Sequence, residues 1–317
     1  MQASEIGDVL DVGTRDVWHE ADGNAWPPRI AADGGAIWQH GGMGVESHPV
    51  PGGRIETYAL PGGPGVPLIV LGGVETGMRT LAGTESVLQS RWEGRTANRP
   101  VTIIGRPIPD DPSGAGPIMH PRRIADAVAR ALDALLLGRV AIEAESGGGR
   151  ISLWLTVERP DLVSRLVLAS VASETPPASP MAKRMTRWIA LAEAGDWGAF
   201  FAAMAQQMKA ASEVEAGAFG AAARLQPRPA TPERFIGELK ATLDPSSFVT
   251  GRLGEIDAPT LVLAGEQDQV VPLASTKLVA ERIGGARLVT DSECGHTVRS
   301  SFRGYDRLVE AFLSEGD

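Results

Sequence analysis

The residues able to do chemistry gather around one serine. Ser146 lies in Val140-Ala141-Ile142-Glu143-Ala144-Glu145-Ser146-Gly147-Gly148-Gly149, where an apolar run meets three glycines. A strand that runs straight into a serine and then into a helix makes a sharp elbow. Large side chains two positions to either side would clash there, and this chain has Ala144 and Gly148. The elbow also sets the serine at a helix N-terminus, where the dipole and free N–H groups favour developing negative charge. Alone, the pattern equally fits a glycine-rich turn whose serine only caps a helix.

A nucleophilic serine needs a base, and the base needs an acid to orient it. The chain has five histidines. His19, His40 and His48 precede the parallel-strand pattern, and His120 lies in a proline-rich loop. His296 follows the last predicted strand, in Glu293-Cys294-Gly295-His296. Asp268 follows the strand before it, in Gly265-Glu266-Gln267-Asp268. The order is therefore serine, aspartate, histidine, each on a loop after a strand. Loops at the carboxyl ends of parallel strands converge on one sheet edge. Cys294 reads as a small buried hydrophobe.

The elements that must position these residues are legible as hydrophobic runs. Residues 44–50 and 54–60 flank Pro51-Gly52-Gly53 and predict a hairpin. Residues 67–71 and 101–104 read as strands buried on both faces, and 139–142, 166–169, 259–264 and 286–290 as further strands. Residues 121–137 carry Ile124, Val128, Leu132, Leu135 and Leu136 at helical spacing up to Gly138, and 149–158 reads as a second helix. Alternating strands and helices predict a parallel sheet. The domain reading is an N-terminal extension over 1–43, a core over 44–174 and 253–317, and a helical cap over 175–252 with helices at 184–195, 197–211 and 232–243. The extension is irregular, and its Trp18, Trp26 and Trp38 imply packing onto something. Covering a site entrance and dimerising are both open roles for it.

Bulk properties narrow the classes. The chain has 317 residues, 43% hydrophobic and 22% charged, which supports a sizeable core. A net charge of −9 argues against sequence-independent nucleic-acid binding and a polybasic membrane patch. One cysteine excludes an intrachain disulfide and multi-cysteine zinc sites. Residues 1–13 do not read as a signal peptide, and no apolar run approaches the ~18 residues of a membrane span. A soluble cytoplasmic protein is the expectation.

Taken together, four segments resemble the α/β-hydrolase superfamily. They are Ala-Glu-Ser-Gly-Gly at 144–148, Val-Glu-Arg-Pro-Asp-Leu-Val-Ser-Arg-Leu-Val-Leu at 157–168, Ala-Pro-Thr-Leu-Val-Leu-Ala-Gly-Glu-Gln-Asp at 258–268, and Gly-His at 295–296. The resemblance runs from Gly44 to Leu313. It implies the α/β-hydrolase fold, a mostly parallel eight-stranded central sheet flanked by helices, with an inserted helical cap between the sixth and seventh strands. It carries the nucleophile to Ser146, the acid to Asp268 and the base to His296. Backbone N–H groups of Val74 and Gly147 would form the oxyanion hole. The chain departs from the family in having Ala144 for glycine, and Gly72-Gly73-Val74-Glu75 where the family has His-Gly.

The reaction expected is hydrolysis of an ester, lactone or thioester, with no cofactor and no metal. Carbon–carbon bond hydrolysis or acyl transfer by the same residues is the variant, and a non-catalytic ligand-binding member of the fold is the other class. Haloalkane and epoxide chemistry would place aspartate at the elbow. Candidate pocket residues are Gly73, Glu75, Glu145, Trp188, Phe200 and Met204, pointing to a small-molecule partner, an apolar acyl substrate. Helical spacing of Trp188, Phe200 and Met204 also fits ordinary packing of the cap. A homodimer is left open. Glu143 ends a central strand, where a carboxylate must be paired or protonated. The preferred reading is a salt bridge to Arg106 or Arg150. The sharper one is a site-specific acid close to Glu75.

Overall fold

The computed structural model describes residues 44–111, 115–208 and 229–315. The expected N-terminal extension over 1–43 and the middle of the expected cap lie outside the described residues. The strands are β1 (Val45–Val50), β2 (Gly53–Leu60), β3 (Leu68–Leu71), β4 (Val101–Ile104), β5 (Ile108–Pro109), β6 (Val140–Glu145), β7 (Val163–Ala169), β8 (Thr260–Gly265) and β9 (Arg287–Asp291). The helices are α1 (Glu85–Trp92), α2 (Ala115–Ile118), α3 (Pro121–Ala134), α4 (Gly147–Glu158), α5 (Pro180–Glu193), α6 (Trp197–Met208), α7 (Pro232–Leu243), α8 (Leu273–Arg282), α9 (Val298–Ser301) and α10 (Tyr305–Leu313).

All nine strands join one sheet in the order β1-β2-β4-β3-β6-β7-β8-β9, with the two-residue β5 beside β2. β1 and β2 form the antiparallel hairpin, turning at Pro51-Gly52 with Gly52 at φ +80°. From β4 to β9 every pairing is parallel. Without β5 the sheet is the eight-stranded one expected, and the helical insertion falls between its sixth and seventh strands. The chain reverses the strand order at β3 and β6, so a crevice opens at their carboxyl ends.

The continuous apolar runs follow from burial on both faces. Ile69, Leu71, Ile142, Ala144, Leu166 and Leu168 point to one side, against Ile124, Val128 and Leu132 of α3 and Ile151 and Leu155 of α4. Leu68, Val70, Ala141, Val167 and Ala169 point to the other, against Trp92, Val309 and Phe312. Successive residues thus serve opposite cores, as the period of two requires. The insertion helices α5, α6 and α7 share a third core, built on Trp188, Trp197, Phe200, Phe201 and Phe235 with Val270 and Val271.

Several boundaries differ from the sequence reading. α3 stops at Ala134, because Leu136 (φ 53°) and Gly138 (φ 63°) turn the chain into the left-handed region. Leu136 is consequently exposed rather than on the buried stripe. β6 runs on to Glu145, because Glu143 finds buried partners that let a carboxylate end a central strand. α5 begins at Pro180, four residues early, with Ser179 as its cap: the Ser179 side chain accepts from the Ala182 N–H at 3.1 Å. The sequence reading gives no signal for the helices α1, α2, α8, α9 and α10.

Candidate active site

Ser146 sits between β6 and α4 with φ 51° and ψ −120°, a region that L-residues rarely occupy. The surroundings over-determine that strain. The Ser146 N–H donates to the Ala169 carbonyl at 3.0 Å, and the Ser146 carbonyl accepts from Gly149 at 3.0 Å. A Cβ on Gly148 would overlap the Leu71 and Gly72 carbonyls, and one on Gly149 would overlap Val171. Only glycines let α4 approach β3 this closely, which holds the elbow down on the sheet.

Three side chains from three sheet-edge loops meet in a hydrogen-bonded row. Ser146 Oγ is 3.0 Å from His296 Nε2, and His296 Nδ1 is 2.8 Å from Asp268 Oδ2. Asp268 Oδ1 accepts from the N–H groups of Val270 and Val271, each at 2.8 Å. Both Asp268 and His296 are buried. A carboxylate bonded this way accepts at every contact, so the His296 Nδ1 carries the proton and Nε2 keeps its lone pair toward the serine hydroxyl. His296 is then placed to take the Ser146 proton.

Val74 and Gly147 lie side by side near the serine. The Cβ position of Gly147 is 3.3 Å from the Val74 nitrogen. Among the described residues neither N–H is donated to another protein group. Two such amides at a helix N-terminus can receive a developing oxyanion.

The cavity in front of Ser146 is lined by Met181, Met185, Trp188, Met204 and Met208 of the insertion, and by Val270 and Val271 beside Asp268. Its polar lining includes Glu75, Thr242 and Arg150. Glu75 is the one carboxylate among the described lining residues, and Arg150 the one cation. Arg150 spends four of its five N–H donors on neutral acceptors, the carbonyls of Ala172 and Thr242 and the hydroxyls of Thr175 and Ser247. Among the described residues no cluster of three or more His, Cys, Asp or Glu side chains could hold a metal ion. No described helix is long and apolar enough to cross a membrane.

The remaining candidate residues divide. Glu75, Trp188 and Met204 line the cavity. Gly73 serves by its backbone, its carbonyl accepting from Arg106 at 2.9 Å. Phe200 is fully buried behind the wall, in edge-to-face contact with Trp188, Trp197 and Phe235, so it packs the insertion rather than meeting a ligand. Glu145 is half-buried outside the cavity and pairs with Arg91 at 3.1 Å. Burial and the Glu75 carboxylate push its carboxyl above the usual range. Cys294 is buried too, and that pushes its thiol up to about 11, an unreactive state near neutrality. Sequence reasoning missed Met181, Met185, Val270 and Val271 as lining. The signal for the two methionines was the methionine content of the insertion.

Glu143 does end in a salt bridge, but to neither arginine expected. Arg106 is taken by Glu238, and Arg150 by carbonyls and hydroxyls. Glu143 instead accepts from Arg95 Nε at 3.1 Å and from the Tyr305 hydroxyl at 3.0 Å, with Arg299 Nη1 at 3.6 Å. Glu143→Ala leaves the buried Arg95 with only Asp306, through its exposed carboxylate at 2.9 Å and its carbonyl at 3.4 Å, and leaves the largely buried Arg299 with no carboxylate partner among the described residues. We expect a stability loss of about 3 kcal/mol in urea unfolding, because an unpaired buried charge is costly. A loss below about 1 kcal/mol would show the cluster to be well hydrated.

The sequence profile of the alpha/beta hydrolase fold matches residues 111–298. The 2-hydroxy-6-oxo-2,4-heptadienoate hydrolase of Pseudomonas putida is 26% identical over 280 residues, covering 79% of this chain and 96% of that protein. The 2-hydroxymuconate semialdehyde hydrolase of a Pseudomonas species is 26% identical over 279 residues, covering 83% and 92%. Among solved structures, the enol-lactonase from Burkholderia xenovorans superposes with a TM-score of 0.66 at 18% identity, covering 85% of this chain and all of that one, 100%. An α/β hydrolase from a deep-sea metagenome library reaches a TM-score of 0.70 at 18% identity, covering 86% and 98%. With its sheet order, its serine elbow and a profile match over residues 111–298 of 317, the chain belongs to the α/β hydrolase fold family.

Proposed function

We propose that this α/β hydrolase is a serine hydrolase that cleaves an uncharged ester, lactone or thioester with an apolar acyl part. One observation carries the reading: the unbroken Ser146–His296–Asp268 row at the floor of a methionine-rich cavity. His296 Nε2 takes the hydroxyl proton as Ser146 Oγ attacks the carbonyl carbon. The charge moved onto the carbonyl oxygen is held by the Val74 and Gly147 N–H groups. His296 returns the proton to the departing alcohol, thiol or ring oxygen, leaving an acyl group on Ser146. Water, deprotonated by the same His296, attacks the acyl carbon and frees the serine.

A second reading comes from the relatives, whose names make them hydrolases of 2-hydroxy-6-oxo-dienoates and a muconate semialdehyde. Carbon–carbon hydrolysis could use the same three residues. Those compounds carry a carboxylate, and the described cavity lining sets the like charge of Glu75 against it and offers one cation, Arg150, most of whose donors already serve carbonyls and hydroxyls. Like charges brought together disfavour a ligand strongly, so the neutral ester ranks first.

The test is a panel of p-nitrophenyl esters, a lactone, a thioester and a 2-hydroxy-6-oxo-dienoate, each with wild type and Ser146→Ala. Neutral acyl compounds should exceed the dienoate in kcat/KM by about 10-fold or more, from charge exclusion alone. Preference for the dienoate would replace this reading with the second. No turnover of any member would favour a ligand-binding role.

A further inference from the structure

The buried pair Arg106–Glu238 has no part in the row of Ser146, His296 and Asp268, yet it lies against the backbone that carries the Val74 and Gly147 amides. Arg106 follows β4 and its side chain is entirely buried. Its Nη2 donates to the Gly72 and Gly73 carbonyls, each at 2.9 Å. The Gly73 carbonyl belongs to the same peptide unit as the Val74 N–H. Arg106 Nε donates to both oxygens of Glu238, at 3.0 and 2.9 Å. Glu238 Oε1 in turn lies 3.3 Å from the Cβ position of Gly147. One ion pair therefore touches the Gly73–Val74 peptide and flanks the Gly147 amide.

Two physical consequences follow. A peptide whose oxygen accepts a charged hydrogen bond is a stronger donor through its N–H, and its plane can no longer rotate. A bare carboxylate beside Gly147 would oppose negative charge building on a substrate oxygen, and the guanidinium cancels it. Burial pushes the Glu238 carboxyl upward, while Arg106 pulls it back. The clamp is delivered by the helical insertion, since Glu238 belongs to α7. That helix is stitched to the segments after β3 and β4 by two further bonds: Thr231 Oγ1 donates to the Gly77 carbonyl at 2.7 Å, and Arg234 Nη2 to the Arg106 carbonyl at 2.7 Å.

We propose that Arg106, clamped by Glu238, is a positioning residue for the oxyanion hole. It holds and polarises the Gly73–Val74 peptide so that the Val74 N–H meets the developing oxyanion beside that of Gly147. The inference rests on the acyl-enzyme reading above and adds to it a role for the insertion in transition-state stabilisation.

The variants are Arg106→Lys and Glu238→Gln. Lysine keeps the charge but has no planar fork to span two carbonyls and a carboxylate. Each is compared with wild type for kcat and KM on a p-nitrophenyl ester, and for affinity toward a boronic acid, whose tetrahedral serine adduct mimics the transition state. For Arg106→Lys, kcat should fall about 10- to 100-fold with KM within about threefold, since loss of one oxyanion donor costs about 100- to 1000-fold. Boronic acid affinity should fall by the same factor as kcat/KM. Glu238→Gln should repeat the pattern at about 3- to 10-fold, because one acceptor for Arg106 survives. A folded Arg106→Lys with wild-type kcat and boronic acid affinity, or a loss confined to KM, overturns the inference. If Arg106→Lys does not fold, Glu238→Gln decides by the same criteria. Labelling of wild-type Ser146 by a fluorophosphonate separates the two claims. Its failure removes the acyl-enzyme reading, whereas success with unaffected variants removes only the role of Arg106.

Discussion

Ser146→Ala is expected to lower kcat for ester hydrolysis on the order of 10⁶-fold without unfolding the protein, the scale on which serine nucleophiles elsewhere are lost. Alanine keeps the Cβ, so the strained backbone at φ 51° and ψ −120° remains and the melting temperature should hardly move. Ser146→Gly separates strain from chemistry. It is equally inactive, but glycine occupies that backbone region freely. The strain of about 1–3 kcal/mol is relieved, against about 0.5–1 kcal/mol of extra unfolded-state entropy. A net gain of about 1 kcal/mol should appear as a melting temperature a few degrees higher. Such a pair of results would mark position 146 as one where stability was given up for activity. Kinetics of both variants on one ester, with thermal melting alongside, checks this. An alanine variant within about tenfold of wild type would end the nucleophile assignment.

The second large effect belongs to Asp268→Asn, with kcat expected to fall on the order of 10⁴-fold. The reason is written in the loop. Asp268 Oδ1 already receives the Val270 and Val271 N–H groups. Asparagine has one oxygen, and those two donors claim it. Its NH₂ then faces His296 Nδ1, where Oδ2 stood at 2.8 Å. An NH₂ group donates, so Nδ1 must become the acceptor and the ring proton moves to Nε2. The histidine then presents a proton to Ser146 Oγ rather than a lone pair, and deprotonation fails at an almost unchanged geometry. The melting temperature should stay within a few degrees of wild type, because the backbone bonds of the loop survive. A drop in kcat of less than about tenfold would mean that Asp268 does not set the tautomer.

How far the sequence carried the fold depended on whether a signal was local. The strands buried on both faces announced themselves as apolar runs, and the hairpin by Pro51-Gly52-Gly53. The order of Ser146, Asp268 and His296 with respect to the strands was legible too, and the structure places the three side chains in contact. Misreadings arose where tertiary partners overrode the local pattern. Leu136 fits the apolar stripe of α3, but the chain leaves the helix before it. Phe200 carries the same helical spacing whether it faces a ligand or its neighbours, and three aromatic rings settle that it packs inward. Glu143 looked anomalous because its partners Arg95 and Tyr305 lie 48 and 162 residues away in the chain. Arg106 and Glu238, 132 residues apart, were unreadable for the same reason. Helix α1 gave little pattern because Trp92 is its only buried residue.

The central claim is a covalent bond to Ser146, and covalent trapping tests it most directly. Wild-type protein incubated with a fluorophosphonate, or quenched during turnover of a slow p-nitrophenyl ester, is digested and read by mass spectrometry. The added phosphonyl or acyl mass should fall on the peptide that contains Ser146, and the Ser146→Ala protein should acquire none. Turnover that proceeds with Ser146 unmodified, or an adduct on another residue such as Cys294 at wild-type activity, would contradict the account.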